Sequence, residues 1–509
     1  MSISLLYKNE ADKPEIGDKV FEYDKSLIYD LSIDRAMMTV CVDAPKREKF
    51  LAVVAKPLLD SEAIVYRQQI LTEFMGHPGL FRGMMEFFTT YKGTQTRWDD
   101  ERRAVMSKRS NGTDKKADLY TSTMLLNTTG RYLKVILSYV RTLFDTLSGF
   151  SVSSEGLFRL RSYCADIVRS ETYSELETLA ERCRTDFVDA DYSDILLEFG
   201  ADLRLNVCDY ASENVFLRPP AEKRKIGFLG PKKKEETEVK YTGAREVNAN
   251  GDPDAITELL LSSCRALDQT LTQVARKIYH ELSGISSELE FFEVAVSYVE
   301  KMRDRGADMC YPRILGMEYN VLYCESLKDV MLLLESINPA MVIPNDVGID
   351  GIVEGMLIRG ENNSGKTVYL RSVGTALLFA QAGLMIPAKK AEISVRRALY
   401  SHFASAEESG ISAGRFEQEV RDLSEIIDKL VPNSMFFLNE TFQTTSYDEG
   451  AEGIYPILNH IRSLGGGVIF VTHLHKLFEM YNDDPQICFR KTSGKKETQY
   501  KIGEYELPK

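Results

Sequence analysis

The chain has no paired Cys-x-x-Cys spacing: its eight cysteines, Cys41, Cys164, Cys183, Cys208, Cys264, Cys310, Cys324 and Cys488, stand singly along 509 residues. Thiols scattered in this way exclude a zinc ribbon and a disulfide framework, and they predict reduced side chains in a cytoplasmic protein. The opening residues, Met1-Ser2-Ile3-Ser4-Leu5-Leu6-Tyr7-Lys8, lack the apolar core of a secretory signal. The longest apolar run, around Ala376 to Ile386, is too short to cross a bilayer, so no membrane segment is expected. Positive charge is also short, with 63 Lys and Arg against 76 Asp and Glu for a net charge of −13. That balance excludes a polyanion-binding surface spread over the whole molecule and leaves room only for a local one. There is no internal repeat and no sustained heptad pattern. At this length the chain must divide into several domains, because a single core stops growing near about 250 to 300 residues.

What the chain does have is Gly360-Glu361-Asn362-Asn363-Ser364-Gly365-Lys366-Thr367, two glycines bracketing four residues and followed by lysine and threonine. Gly355 to Arg359 before it predicts a short buried strand and Val368 to Gln381 after it an apolar helix, the context in which a phosphate loop works. The glycines let backbone N–H groups approach phosphates, Lys366 reaches the outer phosphates, and Thr367 offers a hydroxyl to Mg²⁺ at a helix N-terminus. A nucleoside triphosphate is the expected ligand.

Two further stretches follow in the order such a site requires. Ser434-Met435-Phe436-Phe437-Leu438-Asn439-Glu440 reads as an apolar strand with a polar end, the form of a Walker B segment. Glu440 is then the candidate general base for the attacking water. Asn439 stands where an aspartate usually helps to hold Mg²⁺, and a neutral amide offers the metal less charge. Either hydrolysis is slow or the site only binds nucleotide. Gly465-Gly466-Gly467-Val468-Ile469-Phe470-Val471-Thr472-His473 reads as a glycine turn and a third buried strand with a histidine at its C-terminal end, where ligands sit in open α/β sheets. His473 is the candidate sensor of the γ-phosphate. His77, His280, His402, His460 and His475 have no convergent spacing.

These stretches together resemble the ATPase domain of the MutS family of DNA mismatch-repair proteins. Ile386-Pro387-Ala388-Lys389-Lys390-Ala391-Glu392-Ile393 is similar to the family's VPA-x-x-x-x-I segment, and Gly414-Arg415-Phe416-Glu417-Gln418-Glu419-Val420 resembles its S-T-F-M-x-E-M element at Phe416 and Glu419. Thr445-Ser446 with Glu449-Gly450 resembles the loop after Walker B, and Thr472-His473 the family's T-H pair. Ile343-Pro344-Asn345-Asp346 resembles the strand-loop leading into the nucleotide site. Lys56-Pro57-Leu58-Leu59-Asp60, with Ala63-Ile64 and Arg67-Gln68, is similar to the entry into the helical core. The resemblance implies a P-loop NTPase fold of the ABC-like MutS type, α/β, preceded by an all-α long-helix core or lever. Residues 1–45 are then a lead-in, 46–330 the helical core with a small β-containing insertion near 200–250, and 331–509 the ATPase domain. It also implies ATP with Mg²⁺ as cofactors, Thr367, Asn439 and Glu440 as the groups near the metal, and a homodimer formed through the ATPase domains.

Departures from the family are equally specific. The separate N-terminal domain with a Phe-x-Glu wedge is not expected here, Phe21-Glu22-Tyr23 having the wrong spacing and lying too close to the core. The C-terminal dimer-stabilising helix-turn-helix is not expected after the strand-like Thr498 to Ile502. Gly414 replaces a serine that reaches the neighbour's γ-phosphate, leaving Ser412 or Arg415 for that contact, and Phe442 and Thr444 replace glycines. A DNA contact is expected at Lys223, Arg224, Lys225, Lys232, Lys233 and Lys234, in a Pro- and Gly-rich loop near where the family inserts its DNA clamp. The same lysines also fit a solvated loop balanced by Glu235 and Glu236. A second basic cluster, Arg102-Arg103, Lys108-Arg109 and Lys115-Lys116, is expected either as another mobile contact or as a patch serving solubility alone. Leu289, Phe292, Val296 and Val299 predict one face of a long helix ending near Gly306. Phe416, Val420, Leu423, Ile427 and Leu430 predict an amphipathic helix ended by Pro432-Asn433, with Glu419 on another side, free to face a partner. The expected function is an ATP-driven clamp on duplex or branched DNA, in repair or recombination, that does not itself read a mismatch. The alternative is a nucleotide-dependent switch acting on a protein partner, with weak or no hydrolysis and no DNA binding. A transporter ATPase is disfavoured, because its Leu-Ser-Gly-Gly-Gln signature is not found.

Overall fold

The computed structural model describes residues 3–13, 25–107, 115–183, 196–199, 205–208, 253–404, 412–442, 446–493 and 499–507. In chain order the helices before the first strand are α1 (Ser26–Asp30), α2 (Ile33–Val40), α3 (Ala44–Val54), α4 (Ser61–Gly76), α5 (Pro78–Lys92), α6 (Thr94–Met106), α7 (Lys115–Ser148), α8 (Glu155–Val168) and α9 (Glu171–Arg182). A strand pair, β1 (Leu196–Phe199) and β2 (Leu205–Cys208), and the long α10 (Pro253–Asp304) come next. The rest is β3 (Arg313–Leu315), β4 (Leu322–Leu327), α11 (Val330–Glu335), β5 (Asn345–Ile349), β6 (Gly355–Arg359), α12 (Lys366–Gln381), β7 (Lys390–Ser394), β8 (Leu399–Phe403), α13 (Ser412–Asp428), β9 (Met435–Asn439), α14 (Tyr447–Ser463), β10 (Gly467–Val471), α15 (His475–Met480), β11 (Ile487–Thr492) and β12 (Ile502–Glu504). The chain is thus mixed helical and α/β.

It divides into two compact units, one of Met1–Pro78, Ser153–Leu157 and Ser287–Lys509, the other of Gly79–Val152 and Phe158–Ser286. Helix α10 contributes 253–286 to the second and 287–304 to the first. It stops where the sequence predicts, at Gly306, whose φ of +70° suits a residue without a side chain.

Among the described residues the second unit is helical apart from the antiparallel β1–β2 pair. Its interior is unusually aromatic. Trp98 stacks on Tyr132 with centroids 4.3 Å apart, and Tyr91 stacks on Tyr279 at 4.9 Å. Arg102 lies over the Trp98 ring and holds both carboxylate oxygens of Asp268, at 2.7 and 2.8 Å. A guanidinium held this way is a structural strut, so Arg102 is not the mobile contact expected of the second basic cluster. Lys115 pairs with Glu258, while Lys108 and Arg109 lie outside the described residues, as do Phe21, Glu22 and Tyr23.

The first unit carries two sheets. The larger has the order β12-β11-β6-β10-β9-β8, with β11, β6, β10, β9 and β8 parallel and β12 antiparallel at one edge. Strands β9 and β10 are buried at every position, as continuous apolar runs in parallel sheets should be. Leu357, Phe436, Leu438, Val468 and Phe470 form one core with Leu423 of α13, Ile454 and Leu458 of α14, and Leu477 and Phe478 of α15. The smaller sheet, β3-β7-β4-β5, pairs β3 with β7 in parallel and the others antiparallel.

Local expectations fail at two places. Helix α13 ends at Asp428, short of Pro432, and Val420 is 42 % exposed although the apolar rhythm put it inside. The last strand is Ile502–Glu504, set by pairing with β11, not the expected Thr498–Ile502.

Candidate functional site

Because β6, β10 and β9 are adjacent and parallel, their C-terminal ends lie side by side on one edge of the sheet. Three stretches far apart in sequence therefore open on the same place: the Gly360 loop after β6, Asn439-Glu440 after β9, and Thr472-His473 after β10. Backbone bonds lock the edge, Thr472 N–H donating to Ile358 O at 3.0 Å and Glu440 N–H to Val471 O at 2.8 Å.

The loop itself is built for close backbone approach. Gly365, at the N-cap of α12, has φ +89°, and a Cβ there would stand 3.3 Å from the Tyr500 ring. Lys366 is buried, and its Nζ donates to the carbonyls of Gly360 at 2.7 Å and Glu361 at 2.8 Å while lying 3.4 Å from His473 Nε2. Burial holds the Lys366 pKa below its ordinary value, and the nearby Glu440 carboxylate pulls the other way. The Thr367 hydroxyl donates to Asn439 Oδ1 at 3.1 Å. Glu440 Oε1 lies 3.6 Å from His473 Nε2. Burial first, and then the Lys366 charge, push the His473 pKa down, against an opposing pull from Glu440. At neutral pH His473 is therefore an uncharged imidazole, able to donate from one nitrogen and accept at the other. Among the described residues no three His, Cys, Asp or Glu side chains cluster to hold a metal on their own. The oxygens of Thr367, Asn439 and Glu440 are nonetheless the hard donors that Mg²⁺ takes when phosphates and water complete its shell.

Residues 362–369 and Glu440 open onto a cavity of about 830 Å³, large enough for a nucleotide. Two of its walls, at Asp329 and at Tyr500, were not legible in the sequence. Met341, Val342 and Ile343 give an apolar side, Asp329 a buried carboxylate, and Tyr500 an aromatic ring. Asn345 holds the Tyr500 turn, donating from Nδ2 to Tyr500 O at 3.1 Å and accepting from Ile502 N–H at 2.8 Å. Ile343 and Asn345 had a local signal, their place in the Ile343–Asp346 stretch; Tyr500 arrives through the pairing of β12 with β11. Asp329 caps α11 by accepting from Leu332 N–H, yet burial raises its pKa to about 6.

Glu419 overturns its expected role. It is 8 % exposed and turned into the protein, where its Oε2 accepts the Phe442 N–H at 2.6 Å. Ser446 caps α14 by accepting from Glu449 N–H, which gives part of the stretch after Walker B a structural task. Thr445 lies outside the described residues, as do Lys223, Arg224, Lys225, Lys232, Lys233 and Lys234.

Residues 356–506 match the family model described as MutS domain V. The chain is 27 % identical over 244 residues to an endonuclease MutS2 of Clostridium botulinum (strain Loch Maree / Type A3), a stretch covering 45 % of this chain and 28 % of that protein. It is 31 % identical over 151 residues to the DNA mismatch repair protein MutS of Chlorobium limicola, covering 29 % of this chain and 17 % of the relative. A DNA mismatch repair protein MutS of Lysinibacillus sphaericus matches at 28 % identity over 152 residues, covering 30 % and 18 %. The chain therefore spans less than a third of the length of each of these relatives. No described helix is long and apolar enough to cross a membrane.

Proposed function

We propose that this chain, which is a MutS-family protein, binds and slowly hydrolyses ATP and uses the cycle to open and close around duplex or branched DNA. The observation that carries the reading is the meeting of Lys366, Thr367, Asn439, Glu440 and His473, from three strand ends, beside one nucleotide-sized cavity. Lys366 exchanges its two loop carbonyls for the outer phosphate oxygens, gaining a charge-assisted bond. The apolar wall at Met341 and Ile343 and the Tyr500 ring take the base. Thr367, with Asn439 and Glu440 close by, would hold Mg²⁺, which when bound would supply positive charge to the phosphate oxygens. Glu440 accepts a proton from water as the water oxygen bonds to the γ-phosphorus and the bond to the bridging β–γ oxygen breaks, leaving ADP and phosphate. Neutral His473 lies near enough to Lys366 and Glu440 to register the γ-phosphate by hydrogen bonding. Two copies pack through this domain, and closure is passed to the long helices.

The names of the relatives, an endonuclease MutS2 and mismatch repair proteins MutS, support a DNA role, and the lysines between 223 and 234 are its proposed local contact. The net charge of −13 favours one other reading, a nucleotide switch acting on a protein partner. Steady-state ATPase rates at low salt, alone and with homoduplex, mismatched and branched DNA, separate the two. A rate that DNA raises or lowers fits the clamp, and a rate indifferent to every DNA fits the partner switch. Glu440→Gln should keep ATP binding and stop turnover; continued turnover would take the role of base away from Glu440.

A further inference from the structure

The three residues beginning at Glu440 are each fixed by a different element. The Glu440 N–H is held by Val471 O of β10 at 2.8 Å. The Thr441 hydroxyl, fully buried, lies 2.9 Å from Nδ1 of His402 on β8. The Phe442 N–H donates to the Glu419 carboxylate of α13 at 2.6 Å. Glu440 and Phe442 have φ of +59° and +63°, a left-handed conformation that residues with side chains adopt only where their surroundings over-determine it. We propose that Glu419 and His402 are positioning residues which hold this strained turn and thereby aim the Glu440 carboxylate at the phosphate loop.

The face of α13 supports this. A helix serving packing alone would bury Val420 and expose its neighbour Glu419; here Val420 is exposed and Glu419 is inside, beside the buried Leu423 one turn on. A carboxylate is taken out of water only where a donor awaits it, and an N–H accepted by a carboxylate is among the stronger backbone bonds. His402 is buried as well, and burial keeps its pKa below the ordinary value, so it meets Thr441 as a neutral ring forming a hydrogen bond. Because Glu419 grips the backbone two residues beyond Glu440, a shift of α13 reaches the site through this hydrogen bond. The inference rests on the reading of Glu440 as the base for ATP hydrolysis.

The test uses the full chain with Glu419→Ala, Glu419→Gln and His402→Ala. Glu419→Ala should lower kcat roughly 10- to 100-fold, while KM and the affinity for a non-hydrolysable ATP analogue stay within about twofold. Glu419→Gln, whose amide oxygen still accepts the Phe442 N–H, should recover most of the rate, and His402→Ala should repeat the loss in kcat. Unchanged kcat in Glu419→Ala, or a loss of nucleotide affinity in step with kcat, would overturn the proposal. Hydrogen exchange keeps it separate from the ATPase reading. If the wild-type chain binds ATP without turning it over, the hydrolytic reading fails; slow exchange at Phe442 in wild type and Glu419→Gln with fast exchange in Glu419→Ala would still support the hold of Glu419 on the turn, and equal exchange in all three would sink it.

Discussion

Asn439 is buried at the end of β9, and its amide oxygen takes the Thr367 hydroxyl at 3.1 Å. A carboxylate at that oxygen's position would keep the hydrogen bond and add a negative charge beside the metal-binding hydroxyl. Asn439→Asp should therefore tighten apparent Mg²⁺ affinity by roughly tenfold and raise turnover, because charge count among oxygen ligands is a main lever on affinity. Metal-dependence curves of ATPase rate give the result directly, and no change in either quantity would discard the account of the neutral position. Asp329 bears on pH in a definite direction. Burial lifts its pKa from 3.8 to about 6, so between those values the folded state holds a proton that the unfolded chain has released. Its contribution to stability is full below the unfolded value and is lost as pH rises through about 6. Between pH 5 and 7 the wild type should lose roughly 1 kcal/mol relative to Asp329→Asn, measured by urea unfolding of both proteins. Parallel pH profiles would mean that Asp329 ionises normally.

Helix α12 is anchored at its far end by one buried side chain of α4. Arg67 donates from Nη1 to Ala382 O at 3.0 Å and from Nε and Nη2 to Leu6 O at 3.1 and 2.9 Å, between the rings of Tyr7 and Phe291. The phosphate-loop helix, α4 and the N-terminal segment are joined through this guanidinium. Arg67→Met should leave two buried carbonyls without donors and cost about 2 to 4 kcal/mol, visible as a lower urea midpoint for the first unit. A midpoint within error of wild type would mean that water replaces the donors. At this scale the strand–loop–helix unit of β6 and α12 was legible in the sequence, because the glycine spacing and the apolar run after it leave few other conformations. Strands β9 and β10 were legible for the same reason. The inward turn of Glu419 was not, since apolar periodicity scores Val420 above its neighbour and cannot see a backbone N–H waiting 23 residues later. Tyr500 was hidden for a related cause: a turn set by long-range strand pairing leaves no local pattern.

Over the whole molecule, a net charge of −13 sets the terms on which DNA can bind. Long-range repulsion acts against association, so any affinity must come from a few lysines and arginines placed close to phosphates, and each such contact releases counterions. The proposed contact at Lys223, Arg224, Lys225, Lys232, Lys233 and Lys234 supplies six cations, partly offset by Glu235 and Glu236. If they engage duplex DNA, the logarithm of affinity should fall steeply with the logarithm of salt, by about 0.9 for each phosphate neutralised. Replacing Lys232, Lys233 and Lys234 with alanine should then lower the slope by up to about 3 while leaving ATP turnover without DNA unchanged. Fluorescence anisotropy with a labelled duplex over a salt series reads the slope, and the same preparations give the basal rate. An unchanged slope with intact binding would place the phosphate contacts elsewhere on the chain. Absence of binding at low salt, with nucleotide turnover intact, would leave the acidic surface to a protein partner.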